Sequence, residues 1–419
     1  VLIRKGIYLQ RVLRNQWLKP KGVTEFQIEA IRELLEHTKA TVPLFQQRLQ
    51  HLDVSEIKGK EDLKKIPLIS RKEFLDAGLQ AYSTAFRYVK KEQLKQRATS
   101  GSSGHAFIIK YDERAYDYLE AIYARTFFSQ GYKPQFPMAY YWYEPLKTKF
   151  HNLFGMFRRQ YIPCTWPIGK QISELKRLNS RYIHYFSSAL YYISRIITPQ
   201  DAAKIRPKVI LSHAEILSPK MKARIEQTFK CPVYDMFGTT EFVRMAWECP
   251  VCGGYHVDED SIILEILDDN NKPCGPGQMG RFVVTGLANY LLPLIRYEMG
   301  DYGAWSNKKI KCGRGFRLIE GIEGREDDFL ISTTGIKIPP KKIIDTLDEI
   351  RELAIFKVVQ TAKQKFEVRC KLMKGQALPK LKVESALRLL VGEDAKISVV
   401  DSAPQFSKRG KLRLVQRCL

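Results

Sequence analysis

The stretch Ala98-Thr-Ser-Gly-Ser-Ser-Gly104, followed by the apolar pair Phe107-Ile108, governs the reading of this chain. Four hydroxyls and two glycines fall between Thr99 and Gly104. Glycines let a backbone approach a phosphate closely, and hydroxyls and free amides then donate to its oxygens. No Gly-Lys-Ser/Thr follows, so this is not a Walker loop. Taken alone, the cluster reads equally as a plain loop.

Around this stretch, short strands alternate with helices. Val209-Ile-Leu-Ser212 reads as an apolar strand followed by a helix over 218–229, and Arg281-Phe-Val-Val-Thr285 as another strand. That alternation predicts an α/β layered domain. Upstream, the apolar spacing of Phe26, Ile28, Ile31, Leu34 and Leu35 predicts a helix over 24–42, with Thr24 as N-cap and Pro43 at its end. Ser70-Arg-Lys-Glu73 reads as a capping box. After about 326 the pattern changes. Helices over 341–353 and 382–391 and strands over 355–361, 366–373 and 395–400 predict a small α+β domain. The expected division is therefore 1–325 and 327–419.

The composition, 44% apolar and 27% charged over 419 residues, describes an ordinary folded chain. No apolar run is long enough to span a membrane, and no secretory pattern opens the sequence, which predicts a cytoplasmic protein with reduced thiols. The net charge, 69 − 45 = +24, favours polyanionic partners. Between Lys147 and Lys208 twelve basic residues face two acids, Glu174 and Asp201, with aromatics interleaved. This is a solvated basic face, or a surface for an anionic ligand or an anionic membrane. No zinc-finger pair, RNP motif or helix-turn-helix pattern supports nucleic-acid binding.

Cys249-Pro-Val-Cys252-Gly-Gly-Tyr-His256 offers two thiolates and an imidazole at metal-ligand spacing. A closed tetrahedral zinc site needs a fourth ligand. The alternative is buried cysteines beside an unrelated histidine.

The phosphate-type loop resembles the TSGSTG loop of the acyl-adenylate-forming ligases, and further motifs follow in that family's order. Tyr234-Asp-Met-Phe-Gly-Thr-Thr-Glu241 resembles its YGxTE motif. Leu292-Pro-Leu-Ile-Arg-Tyr-Glu-Met-Gly-Asp301 resembles PxIRYxTGD. Gly324-Arg-Glu-Asp-Asp328 with Gly335-Ile-Lys-Ile338 resembles the GRxDD hinge region, and Ser407-Lys-Arg-Gly-Lys-Leu-Arg413 the terminal lysine loop. Ile66-Pro-Leu-Ile-Ser-Arg-Lys72, Ser212-His-Ala-Glu215 and Val284-Thr-Gly-Leu-Ala-Asn289 point to the phenylacetate–coenzyme A ligase-like branch, including its CapK-like members of capsular polysaccharide biosynthesis. The resemblance covers nearly the whole chain.

This resemblance implies a large adenylation domain and a small mobile lid. It also implies ATP-dependent formation of an acyl-AMP and pyrophosphate, followed by acyl transfer to coenzyme A. Thr99, Ser100, Gly101, Ser102, Ser103 and Gly104 would hold phosphates. Ala214, Glu215, Tyr234 and Asp235 would line the adenine, with Gly238, Thr239 and Thr240 beside them. Asp301 would accept from the ribose hydroxyls, with Arg325 adding a ribose or phosphate contact. Glu241 would help hold Mg²⁺, which a carboxylate suits, and Lys411 would bridge the attacking carboxylate and the α-phosphate. Asp327 would be the hinge, and Gly335 and Ile336 the acceptor loop. Relatives often bind structural zinc here, which marks Cys312 as the fourth ligand beside Cys249, Cys252 and His256. Tyr141, Trp142, Phe186, His213 and Met236 would line the acid, or His213 is a hydrogen-bonded core histidine.

Three departures bear mainly on the acceptor step: His105-Ala106 after the phosphate loop, Met299 before Gly300-Asp301, and Ser332-Thr-Thr before Gly335. Transfer to an amine or hydroxyl, as in an amide or ester synthase, therefore stands as an alternative. A non-enzymatic anion-binding module is a third reading, against which the joint retention of Glu241, Asp301 and Lys411 argues.

Overall fold

The computed structural model describes residues 2–98, 107–145, 152 and 154–418. The chain divides into two compact units, Val1–Ser129 with Phe237–Ile322 and Gln130–Met236 with Glu323–Leu419. The α/β class read from the sequence holds for the chain, which mixes helices with antiparallel and parallel strands.

The first unit is built on antiparallel strands in the order Ile262–Leu267, Gly280–Gly286, Tyr297–Trp305, Leu318–Arg325, Tyr255–Val257 and Ala246–Glu248. The short strand Ile69–Ser70 adds in parallel to Tyr297 and Glu298. A separate hairpin pairs Lys95–Ala98 with Ile108–Tyr111. Ile31, Leu34, Phe45, Ile109, Ile263 and Val284 share one buried core, fed from helix Pro20–Thr41 and the sheet.

That helix corrects one expectation. It starts at Pro20, with Lys19 in the extended N-cap position, and Thr24 lies inside it. Proline at the first helical position has its φ preset and lacks an N–H that would be unsatisfied anyway, so it starts the helix a turn before Thr24 could. The capping box holds: Glu73 N donates to Ser70 Oγ at 3.2 Å and Ser70 N to Glu73 Oε2 at 2.8 Å. Helix Leu2–Asn15 was not anticipated.

The second unit holds a parallel sheet in the order Val233–Phe237, Val209–His213, Tyr182–Phe186, Met138–Trp142, Arg159–Pro163. Tyr182–Phe186 is buried at every position, as expected of a parallel strand covered on both faces. Helix Ser187–Ile196 follows directly from the strand ending at Phe186, and helix Pro219–Phe229 follows the strand ending at His213 after a short connection. Also in this unit, Lys396–Asp401, Lys365–Leu372, Leu353–Ala362 and Val415–Arg417 form a four-stranded sheet with helices Pro340–Asp348 and Lys380–Val391. The first of these helices stops five residues before the expected end, because Leu353 already belongs to the long strand.

One apolar core joins Leu190, Met221 and Ile225 to Ile343, Leu347 and Phe356. Asp348 accepts from Tyr191 Oη (2.6 Å), Arg224 Nε (3.0 Å) and Arg195 Nη1 (3.4 Å) across this junction. No helix among the described residues is long and apolar enough to cross a membrane.

Candidate nucleotide-site residues and metal centre

In the first unit, Ala98 and Ile108 are directly paired. Thr99, Ser100, Gly101, Ser102, Ser103 and Gly104 lie outside the described residues. The same hairpin supports the next motif. Tyr111 Oη donates to the carbonyls of Thr240 (2.8 Å) and Glu241 (3.0 Å). Burial pushes the Tyr111 phenol well up, so it stays a neutral donor.

The turn 238–243 is tight. Val243 N donates to Thr239 O at 2.9 Å and Phe242 N to Thr239 Oγ1 at 3.2 Å. A Cβ on Gly238 would stand 2.2 Å from Val243 O, so the turn tolerates only glycine there. Glu241 is buried at 6% exposure. Asp301, on strand Tyr297–Trp305, is buried at 5%.

The same motif carries a residue to which the sequence reading gave no role. Arg296 makes a bidentate pair with Glu265, both bonds 2.9 Å, and donates to Ile66 O at 2.5 Å. A second such group is Arg125, fully buried, with Nη1 on Asp260 Oδ2 (2.7 Å) and Nη2 on Asp258 Oδ1 (2.6 Å) and Asp260 Oδ1 (2.7 Å). Arg125 sits mid-helix without a flanking motif, and its partners are over a hundred residues away, so no local signal marked it. A cavity of about 980 Å³ in this unit is lined by Tyr8, Phe26, His37, Tyr118 and Tyr290. Among the described residues, no sequence-predicted site residue lines it.

The metal candidates do converge. The ligand atoms of Cys249, Cys252, His256 and Cys312 all lie within 4.8 Å of one another. Strands Ala246–Glu248 and Tyr255–Val257 pair antiparallel, and the turn between them carries both cysteines. Cys249 N donates to Gly254 O at 2.8 Å and Gly253 N to Cys249 O at 3.1 Å. His256 Nδ1 is 2.8 Å from Phe316 O, which leaves Nε2, 3.2 Å from Cys312 Sγ, as the free lone pair. Burial pushes His256 down to about 4 and the Cys249 thiol up to about 11. A neutral imidazole is ready to ligate, whereas the thiol needs a nearby cation to give up its proton. Three sulfurs and one nitrogen suit tetrahedral zinc and leave no position open.

In the second unit Trp142, Phe186 and His213 end three of the parallel strands, and Ala214 and Glu215 follow His213, at the edge where open α/β sheets bind ligands. His213 ends one strand. Ala214 follows in the left-handed region at φ 71°, a strained conformation for alanine. Glu215 Oε2 accepts from Ser188 N (2.9 Å) and Oγ (2.6 Å), and Oε1 accepts from Leu412 N. The Glu215 side chain is thus turned toward the lysine loop. Tyr234 and Asp235 lie on the neighbouring strand, and Asp235 O accepts from Gln130 Nε2 at 2.8 Å.

The lysine loop is tied to itself and to the sheet. Gly410 N donates to Ser407 O (2.8 Å), Ser407 N to Lys411 O (2.8 Å), and Lys411 N to Ser407 Oγ (3.1 Å). Tyr141 Oη donates to Gly410 O at 3.3 Å. Lys411 Nζ lies 5.9 Å from the centroid of Phe186. Burial lowers the Lys411 pKa, with Arg325 and Arg409 adding to the shift and Glu215 opposing it. Arg325 N donates to Asp328 Oδ2 at 3.1 Å, and Arg413 Nε to Asp328 Oδ1 at 2.8 Å, so the turn containing Asp327 is pinned to the segment just after the lysine. Gly335 has φ 92° in the hairpin joining Leu330–Ile331 to Lys337–Ile338, and Ile336 is 66% exposed at its tip.

His213 is buried in a ring stack, 3.7 Å from His184 and 5.7 Å from Trp142, with Phe186 edge-on at 4.8 Å. Tyr141 stacks on Tyr185 at 4.1 Å, and Met236 is buried on the adjacent strand.

No family model matches this chain. It is 24% identical over 347 residues to a phenylacetate-coenzyme A ligase of Pseudomonas putida, covering 80% of this chain and 77% of the relative. A phenylacetate-coenzyme A ligase of Escherichia coli K12 is 23% identical over 341 residues, covering 78% and 76%. Protein CapK of Staphylococcus aureus is 24% identical over 163 residues, 38% of this chain and 35% of that one. Among solved structures, 2-hydroxyisobutyryl-CoA ligase in the postadenylation state aligns over 96% of this chain and 91% of that one, with a TM-score of 0.76 at 17% identity. An anthranilate CoA ligase with anthranoyl-AMP aligns over 76% and 65%, with a TM-score of 0.57 at 15% identity.

Proposed function

We infer that this chain, an acyl-adenylate-forming ligase in fold and in the order of its motifs, joins a carboxylic acid to the α-phosphate of ATP, releases pyrophosphate and passes the acyl group to coenzyme A. The observation that carries this reading is the setting of Lys411. Its loop is seated beside the exit of the central parallel strands, and its ammonium is drawn in among Phe186, Glu215 and Arg325. A lysine kept merely for solubility would point into water.

Adenylation brings two anions together, so its transition state needs preorganised positive charge and in-line positioning. Lys411 would stabilise charge developing between the carboxylate and the α-phosphate. Thr99–Gly104 would hold the outer phosphates, Asp301 the ribose hydroxyls, and Arg325 a ribose or phosphate oxygen. Glu241 would supply a hard oxygen ligand to Mg²⁺. Ala214, Tyr234 and Asp235 would bound the adenine. In the second half-reaction 327–419 would turn about Asp327, withdraw Lys411 and present Gly335 and Ile336 to the thiol.

The relatives named above as ligases are coenzyme A ligases, which makes a thiol acceptor the favoured one. Cys249, Cys252, His256 and Cys312 would hold one structural zinc. Eight free cysteines suit a reducing compartment such as the cytoplasm.

The test is a panel of carboxylic acids, phenylacetate among them, incubated with ATP, Mg²⁺ and coenzyme A, with products identified by mass spectrometry. The reading predicts acyl-coenzyme A with AMP and pyrophosphate as co-products. Formation of ADP and phosphate instead would refute it.

A further inference from the structure

The geometry points to Glu215 as the residue that positions Lys411 for adenylation: its carboxylate holds the lysine loop through the Leu412 amide and supplies the counter-charge to the Lys411 ammonium. This rests on the ligase reading above and adds to it a role for a side chain expected only to border the adenine.

Two sets of contacts define the role. On the sheet side, Glu215 Oε2 takes both the amide and the hydroxyl of Ser188, at the start of helix Ser187–Ile196. That oxygen is fixed within the parallel-sheet part of the unit. Oε1 reaches the other way and accepts from Leu412 N, one residue past the lysine. Leu412 itself is buried at 2% exposure, so the backbone at this point is held on both its side-chain and amide sides. The bond registers Lys411 against the strand end that carries residues 213–215.

The charges around the lysine act in the same direction. Burial disfavours the ammonium, and Arg325 and Arg409 repel it, while Phe186 offers only a ring face. Glu215 is the acid that opposes them. Without it, burial and the two arginines drive Lys411 toward the neutral amine, which cannot stabilise a developing anion, against only the weak attraction of the Phe186 ring. The converse also holds. Burial raises the Glu215 pKa, and the hydrogen bonds from Ser188 and Leu412, with the Lys411 charge, oppose that rise in part. When the loop departs, Glu215 loses two of these supports at once. Docking of the loop and charging of the lysine are therefore coupled through one carboxylate. Glu215 is a positioning residue and need not touch substrate.

The decisive variant is Glu215→Gln, which keeps an acceptor for Leu412 N–H but removes the charge. Pyrophosphate release is measured against pH with the best acid of the panel. In parallel, transfer from that acid's synthetic acyl-adenylate to coenzyme A is measured. The expected result is that the alkaline limb of the first reaction moves down by about one to two pH units. The second reaction should stay within about twofold of wild type, because Lys411 has left the site by then. Glu215→Ala, which also removes the acceptor, should slow the first reaction about a hundredfold at neutral pH.

A readout independent of turnover is the pH of half-maximal acetylation of Lys411 by acetic anhydride, read by peptide mass spectrometry. It should move down in E215Q as well. An unmoved limb and labelling midpoint overturn the proposal, and so does an equal loss in both half-reactions of a folded variant. If E215Q does not fold, Ser188→Ala leaves the charge but loosens its orientation. It should cost about three- to tenfold in pyrophosphate release alone, and no selective loss refutes the role. A wild-type chain that releases no pyrophosphate with any acid would reject the ligase reading itself. An active wild type with an unshifted E215Q rejects only the assignment of Glu215.

Discussion

Gly410 lies flat against Cys164: a Cβ on the glycine would stand 2.3 Å from Cys164 Cβ, 2.8 Å from its sulfur and 2.9 Å from Tyr141 Oη. The φ of Gly410, 77°, is in the left-handed region as well. Gly410→Ala therefore meets both a steric and a conformational penalty. It should unseat the loop and slow acid-dependent pyrophosphate release by about tenfold or more. The rate of acyl transfer from a supplied acyl-adenylate should be unchanged. Measuring both rates in the one variant checks this.

Lys411→Ala should lower the adenylation rate by a factor of about a hundred or more, the usual cost of one preorganised electrostatic contact. It should leave use of a supplied acyl-adenylate intact. Loss of both steps, or of neither, would show the lysine assignment to be wrong.

The strands legible in advance were those with continuous apolar runs. Val209–His213 and Gly280–Gly286 formed within a residue or two of where Val209–Ser212 and Arg281–Thr285 placed them. Boundaries failed where a stronger local term intervened, as at Pro20, or where tertiary pairing claimed residues, as at Leu353. Helix Leu2–Asn15 escaped notice because its apolar face is interrupted by Arg4, Lys5 and Arg11. Among site residues, Cys249, Cys252 and His256 were readable because metal spacing is local, while Cys312 needed the family pattern. Arg125 with Asp258 and Asp260 was not readable, since a long-range buried ion pair leaves no periodic trace. The direction of the Glu215 side chain was also hidden, because it depends on where Ser188 and Leu412 come to lie.

The four-ligand cluster predicts about one zinc per chain by elemental mass spectrometry. Cys252→Ser should reduce the metal content sharply. Losing the staple between the 249–256 turn and Cys312 should lower unfolding stability by more than about 4 kcal/mol. Full stability after exhaustive chelation would remove the case for a structural ion.

Arg125→Met leaves Asp258 and Asp260 buried without their cation. The expected destabilisation is about 3–5 kcal/mol in denaturant unfolding. Arg125 lies outside the proposed chemistry, so the variant that remains folded at low temperature should keep its acid specificity. A loss below about 1 kcal/mol would mean that these contacts are not held in solution.

The central claim is that an acyl-adenylate forms before any acceptor is needed. It is tested most directly by exchange of labelled pyrophosphate into ATP, with Mg²⁺ and a carboxylic acid present and coenzyme A absent. The account predicts exchange that requires the acid, proceeds without coenzyme A and disappears in Lys411→Ala. Exchange that is absent with every acid, or that appears only when coenzyme A is added, would contradict it.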